Sequence, residues 1–503
     1  MLVATLGCEV ATELGLASTT SEGSADLLSF GPLEPLVCLM QETPVEHLVA
    51  TVVEKLRSGT DLRQLTAAAA LANARSFGGE DYVGFHTMMA LAPALHMAQE
   101  LPTPMQPLPV LKVLYRNTNR IQEHGGRKEE VLREVQPTPL PTGQEGAETL
   151  RAAVRRKDAV AAERTFAGLV QKSPEDAFND LLVAVQDSTE VHRVVLPYRA
   201  WDLLGLIGKE QAHTLLRQSV RYCVKAEERQ HVPASDEPRT LLPKLLEQHH
   251  LLGRTPGDHQ AEDAWVDRLS QTIFNSTPDQ AAEAAAGALA EGMIPSAVGE
   301  AISLAANQLI LRDQGRPALA ESTGKPIGSV HGDSIGVHAS DSANAWRNMA
   351  SVSNPRNCFA SLILGAYQVA LDRVARGGDF LNWEPFPLAA QVARISTVDQ
   401  AALLHEAEEA LRGNLQATAS ALIGRYGSLG LPARPVFDLL LRYAVTEDGA
   451  LHAEKFYRTV TEEFNSARPA FRWRYLVALA RVTASEYGRP AAGVAEARAM
   501  LGV

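Results

Sequence analysis

Residues 437–452 read Phe-Asp-Leu-Leu-Leu-Arg-Tyr-Ala-Val-Thr-Glu-Asp-Gly-Ala-Leu-His. From Phe437 to Val445 the apolar residues return every three or four positions, the period that buries one face of a helix. The acids Glu447 and Asp448 then interrupt the run. Carboxylates and hydroxyls accept hydrogen bonds from the free N–H groups of a helix's first turn, so the break predicts a new helix start with His452 near its second turn. Three other stretches carry the same signature: Asp-Tyr-Val-Gly-Phe-His ending at His86, Asp-Ser-Thr-Glu-Val-His at His192, and Asp-Ser-Ile-Gly-Val-His at His338. In all four an acid stands five residues before the histidine and an apolar residue stands immediately before it.

The register continues on both sides. Downstream, an apolar helical segment ends at Arg116, Arg221, Tyr367 and Arg481, which lie 30, 29, 29 and 29 residues past their histidines. Upstream, Phe178 precedes His192 by 14 residues and Phe437 precedes His452 by 15. Alternating, strand-like runs are nearly absent. The expected fold is therefore all-α, with four related helical repeat units forming one curved or closed α-helical array. The units span 45–134, 147–230, 264–376 and 388–503, after an N-terminal arm at 1–44. The third unit carries a loop insertion at Asp313 to Gly328. Pro137, Pro139, Pro141 and Gly143 mark one joint, and the stretches 231–263 and 377–387 mark two more. Each unit has an apolar face that only its neighbours can cover, so the joints separate repeats of one body rather than independent domains.

Composition narrows the function. Of 503 residues, 46% are hydrophobic and 21% charged, which is ordinary for a globular protein. A formal net charge of -12 argues against nucleic acid or an anionic membrane as the main partner, because those contacts rest on clustered Lys and Arg. Cys8, Cys38, Cys223 and Cys358 show neither zinc-ribbon nor disulfide spacing. The first residues lack the basic and apolar regions of a secretory signal, and no uninterrupted apolar run is expected to cross a bilayer. A cytoplasmic setting and a small-molecule substrate are the expectations; oligomeric state is not legible.

Imidazole is the commonest metal-ligating side chain, and several together suit iron, copper, zinc or nickel better than magnesium or calcium. If the four helices line one cavity, His86, His192, His338 and His452 are at once the expected metal ligands and catalytic residues. Iron or another transition metal is the expected cofactor. His331, seven residues before His338, is a further expected ligand. The acids at the helix starts are candidates to orient the rings. Tyr198, Trp201, Trp346 and Tyr457 follow their histidines on the same helices and are the candidate substrate-binding aromatics. His96, ten residues after His86, falls on the same helical face. His213 and His405 read as surface or seam residues, and His231, His249, His250 and His259 as solvated loop residues. Arg116, Arg221 and Arg481 are expected mainly to form salt bridges. No GxGxxG, Walker, GxSxG, HExxH or CxxCH pattern is present in a supporting context, so no nucleotide cofactor motif is found. Two other readings compete. In one, each histidine hydrogen-bonds across a repeat seam in a non-catalytic scaffold that binds a protein along a concave face, with histidines a repeat apart. In the other, the cavity serves metal-dependent hydrolysis.

The segments Val191-His192-Arg-Val-Val-Leu-Pro-Tyr-Arg-Ala-Trp-Asp-Leu-Leu-Gly-Leu-Ile-Gly and Val337-His338-Ala-Ser-Asp-Ser-Ala-Asn-Ala-Trp resemble the histidine-bearing helices of the questin oxidase-like family. The resemblance runs in outline from His86 to Arg481. It implies oxidative ring opening of an aromatic substrate without a recognisable flavin motif, by a helical body with histidines around the substrate. Members of that family often carry several histidines in the first such segment, whereas here His86 is followed by Thr87-Met88-Met89. The expected function is an oxygenase-type oxidoreductase with a histidine-lined cavity, metal-dependent, acting on an apolar or aromatic small molecule.

Overall fold

Helices and isolated bridges form the regular structure of the described residues, 27–139, 145–228, 237–323, 325–330, 332 and 334–503 in a computed structural model, and no strand occurs among them. The chain is all-α, as its periodicity predicts. The first stretch holds α1 (Glu34–Glu42), α2 (Val45–Arg57), α3 (Leu62–Phe77), α4 (Tyr82–Glu100) and α5 (Pro107–Glu123). The second holds α6 (Gly146–Arg155), α7 (Ala159–Val170), α8 (Pro174–Val185), α9 (Val191–Ile207) and α10 (Ala212–Glu228). Next come α11 (Pro238–Gln248), α12 (Asp263–Asn275), α13 (Pro278–Ala290), α14 (Pro295–Arg312), α15 (Ile335–Val352) and α16 (Pro355–Arg376). The chain closes with α17 (Ala389–Val392), α18 (Gln400–Arg412), α19 (Gln416–Ser428), α20 (Arg434–Thr446), α21 (His452–Ser466), α22 (Trp473–Glu486) and α23 (Val494–Leu501).

Local chemistry starts these helices. Asp61 accepts from the Gln64 N–H while the Gln64 side chain accepts from the Asp61 N–H, and Thr277 and Gln280 repeat that reciprocal cap. Ser173 and Asn354 cap α8 and α16, each followed by a proline at the first helical position, where a missing N–H costs nothing. Burial then joins the helices. The alanine-rich stretch of α3 is interior: Ala68, Ala69, Ala70, Leu71 and Ala72 expose no surface. Among the described residues helix α16 alone is long and apolar enough to cross a membrane by length and composition, and 72% of its apolar window is buried inside the protein, as in a core helix.

Two segments read as loose are packed helices. Within the expected arm, α1 lies on α3 and α5 with Val37 and Met40 fully buried, and Arg75 of α3 reaches Glu34 at 2.7 Å and Gln41 at 3.1 Å. Residues 1–26 of that arm lie outside the described residues. Within the 231–263 joint, α11 packs on α13 and α16 through Leu242, Leu245 and Leu246. Its proline at the first turn conceals a leucine spacing that is plainly helical.

The four histidine-bearing helices are α4, α9, α15 and α21, and each packs on the closing helix that follows it: α5, α10, α16 and α22. They also meet one another. Helix α4 packs against α9 and α21, and α15 packs against the same two. Their close approach to the preceding helices depends on what stands two residues before the histidine. At Gly84 a Cβ would lie 2.5 Å from the Phe77 ring, and at Gly336 one would lie 2.7 Å from Ile310 Cγ1 and 2.9 Å from its backbone nitrogen. Only glycine lets α3 and α14 pass there. The corresponding residue before His452, Ala450, takes a left-handed conformation with φ +50°, and the one before His192 is Glu190, which has a separate task.

Candidate functional site

The four imidazoles converge. His86 Nε2 lies 3.3 Å from His192 Nε2, and His338 Nε2 lies 3.1 Å from His452 Nε2. Between the two pairs the ring centroids are 5.3 Å apart for His86 and His452 and 6.1 Å apart for His192 and His338. His86 and His452 are buried, and His192 and His338 are half-buried. Each ring stands at the start of its helix: His86 is the fifth residue of α4, His192 the second of α9, His338 the fourth of α15 and His452 the first of α21. The sequence reading placed them near the second turn. The helices start later than expected because the caps are not all the expected residues. Asp81 caps α4 through the Gly84 N–H and Ser334 caps α15 through the Val337 N–H, as predicted. Helix α9, however, is capped by Glu190, and α21 has no side-chain cap. Asp187 instead holds Arg155 at 2.6 Å, and Glu447 accepts from the Gly488 and Arg489 N–H groups.

Hydrogen bonds at the opposite nitrogen set the tautomers. His86 Nδ1 lies 2.7 Å from the Tyr82 carbonyl and His452 Nδ1 lies 3.1 Å from the Ala450 carbonyl. A carbonyl can only accept, so both Nδ1 atoms carry a proton, and in the neutral ring Nε2 then presents a lone pair. His192 Nδ1 lies 2.6 Å from Glu190 Oε1, which orients it in the same way. Glu190 also accepts from the Tyr222 hydroxyl at 2.8 Å and from the Arg193 N–H at 3.0 Å. Burial pushes the Glu190 carboxyl upward, but the hydrogen bond and charge of His192, with Tyr222 and the Arg193 N–H, overcome it and hold its pKa at about 2. Burial, aided by the charges of Lys455 and His192, pushes His86 down to about 2. The positive ends of four helices meeting here act in the same direction, against imidazolium.

A lone pair on His86 Nε2 thus faces His192 Nε2 at 3.3 Å, a contact that either a proton between the two nitrogens or a metal ion held by both would satisfy. Two nitrogens on one metal ion, at bonds of ~2.1 Å and angles between octahedral and tetrahedral, stand roughly 3.0–3.4 Å apart. Both observed Nε2 pairs fall at that separation. The donor set, neutral imidazoles anchored behind by carbonyls and a carboxylate, matches the usual support of histidine ligands. Among the described residues, however, no group of three or more His, Cys, Asp or Glu side chains already forms a cage for an ion. The rings stand as two close pairs, and an ion shared by all four needs the pairs to draw together. His331, the fifth expected ligand, lies outside the described residues.

The expected aromatics are elsewhere. Trp346 is fully buried and its indole N–H donates to Gln368 Oε1 at 2.7 Å. Trp201 stacks on Phe178 at 4.4 Å between centroids, with Lys209 over its ring at 4.6 Å. Tyr457 donates to Glu100 at 2.8 Å and Tyr198 to Glu462 at 3.3 Å. The rings that do face the histidines are Phe85, 4.9 Å from both His86 and His192, and Tyr82, 4.4 Å from His86. Tyr82 is 62% exposed, so it stands between the centre and solvent. Both had been read only as part of the repeated signature. Adjacent residues on the first turn can flank a site when the neighbouring helix, here α9, comes to them.

A polar face descends from the histidines along the helices. Three residues past His338 and His452 lie Asp341 and Lys455; seven past His192 and His452 lie Arg199 and Thr459; ten past the four lie His96, Asp202, Asn348 and Glu462. Thr459 donates to Asp341 at 2.8 Å and accepts from Arg199 at 3.1 Å, and His96 Nε2 meets Asp202 at 3.2 Å. Burial pushes Lys455 down to about 8 against the pull of Asp341, while it raises the Asp341 carboxyl. Asp341 and Lys455 were not among the expected site residues, although a charged residue three positions beyond a histidine falls on the same helical face and is a visible signal. Of the closing arginines, Arg116 meets Asp448 at 3.0 Å, Arg221 meets Glu163 at 3.1 Å, and Arg481 donates to the carbonyls of Ile310 and Asp313. None is near enough to the histidines for a hydrogen bond among the described contacts. No protein-family model, curated protein or solved structure matches this chain.

Proposed function

We propose that the four-histidine centre binds one transition-metal ion, iron above all, and that the protein is an oxygenase-type oxidoreductase acting on an apolar or aromatic small molecule. The observation that carries this reading is the pair of Nε2 contacts at 3.3 and 3.1 Å, with the Nδ1 protons of His86 and His452 committed to carbonyls. Several imidazoles and no thiolate favour iron, copper, zinc or nickel. A redox-active ion supplies the activation of dioxygen when bound. The chain supplies the rest: Glu190 orients His192, Phe85 and Tyr82 offer aromatic surface to a substrate, and Lys455 and Asp341 form a buried acid–base pair one turn beneath the rings. Four related helical units closed into a ring, one histidine from each, is the arrangement this reading assigns to the chain. The resemblance to the questin oxidase-like family belongs to the same proposal. A protein-binding scaffold would instead separate its histidines by the length of a repeat.

The test is metal analysis of purified protein after reconstitution with Fe(II), in wild type and in His192→Ala. One ion per chain, lost in the variant, supports the reading. No stoichiometric uptake of iron, copper, zinc or nickel by wild type sinks it.

A further inference from the structure

A second feature of the fold is a cavity away from the histidines. It encloses about 870 Å³ between the end of α4, the start of α5, and helices α18, α20 and α23. Glu100, the last residue of α4, lines it, and 14 residues separate Glu100 from His86, so at 1.5 Å per residue the cavity lies ~21 Å from the histidine centre. It is a different place with a different chemistry. Leu108, Leu439, Leu441 and Val445 form a buried apolar floor. The volume and the apolar lining are those of a small-molecule site.

The charges at its rim decide which molecule. Each acid there already has a guanidinium: Glu100 meets Arg434 at 2.7 Å, Asp438 meets the same Arg434 at 2.5 Å, and Glu408 meets Arg412 at 2.8 Å and Arg442 at 3.0 Å. Arg498 of α23 also lines the cavity, half-buried, and forms no ion pair with a carboxylate among the described residues. Arg434, Arg412 and Arg442 thus offset the three carboxylates of the lining, Glu100, Asp438 and Glu408, and Arg498 is the lining guanidinium left over. His405 of α18 also lines the cavity. We propose that this cavity binds an amphiphilic carboxylic acid, its hydrocarbon or aryl body on the leucine floor and its carboxylate on Arg498. Arginine's planar fork suits a carboxylate, and the apolar floor supplies the burial.

Calorimetric titration of the full chain at low salt, with decanoate, 1-decanol and decyltrimethylammonium as probes, tests this directly. Saturable one-to-one binding of decanoate is expected, about tenfold tighter than decanol, the contribution of one charge-assisted contact. Arg498→Gln removes that tenfold preference and leaves decanol unchanged. Ala401→Trp, at an exposed lining position on α18, blocks all binding without touching the core. Affinity is the same for chelator-treated and iron-treated protein, which separates this site from the histidine centre. The proposal is overturned if decanoate binds no tighter than decanol, if its preference survives Arg498→Gln, if decyltrimethylammonium binds best, if Ala401→Trp changes nothing, or if iron alters decanoate affinity.

Discussion

Acid should weaken the metal-free protein through His86, by an amount the structure sets. Burial holds the folded His86 at about 2 against an ordinary value of 6.5, so in mild acid the unfolded chain binds a proton that the folded one refuses. The folded value lies below the unfolded one, so this contribution to stability is complete above pH 6.5 and is lost progressively as pH falls toward 2. Each pH unit below 6.5 removes about 1.4 kcal/mol, which amounts to about 2 kcal/mol between pH 7 and pH 5 from this one ring. His86→Gln keeps a polar side chain of similar reach but does not titrate. Equilibrium urea unfolding of chelator-treated protein, followed by tryptophan fluorescence and by circular dichroism, should show wild type losing about 2 kcal/mol more than the variant over that interval. Equal losses would refute the reasoning. That result would mean His86 takes up a proton in the folded protein, which would remove the argument that its lone pair is available to a metal.

Glu190→Ala removes both the cap of α9 and the anchor of His192. Helix capping alone is worth about 1 kcal/mol, and loss of a ligand's hydrogen-bond support typically weakens metal binding by about 10–100-fold, which competition with a chromophoric chelator will measure. Gly336→Ala places a methyl group against the backbone of α14 two residues before His338. It should cost about 1–3 kcal/mol by overpacking, read as a lower thermal midpoint, and weaken iron retention by moving His338, whereas Ala401→Gly, at an exposed position of α18, should cost only the ~1 kcal/mol of helix propensity and leave iron retention unchanged.

Much of this protein is local and therefore legible in its sequence. The four histidine segments are helix starts because of acids, hydroxyls and apolar spacing within a few residues, and the closing helices follow at nearly constant distance for the same reason. Asp81 and Ser334 could be read as caps, since a cap bonds only three residues ahead. Even so, the choice between Asp187 and Glu190 at α9 depended on Arg155, 32 residues away, which claims Asp187. What required the tertiary structure was everything decided between helices. Spacing along the chain put a histidine in each unit, but only the packing of α4 and α15 against both α9 and α21 brings the rings within contact. Trp346 and Tyr457 had the right spacing to face a substrate, yet Gln368 and Glu100, on neighbouring helices, satisfy them elsewhere. Phe85 and Tyr82 gained their place at the centre from α9, and the charges of Asp341 and Lys455 act on each other because α15 packs on α21. Periodicity specifies which face of a helix is buried; which residues meet across that face is settled by the partner helix, and no residue of the partner is visible in the local pattern.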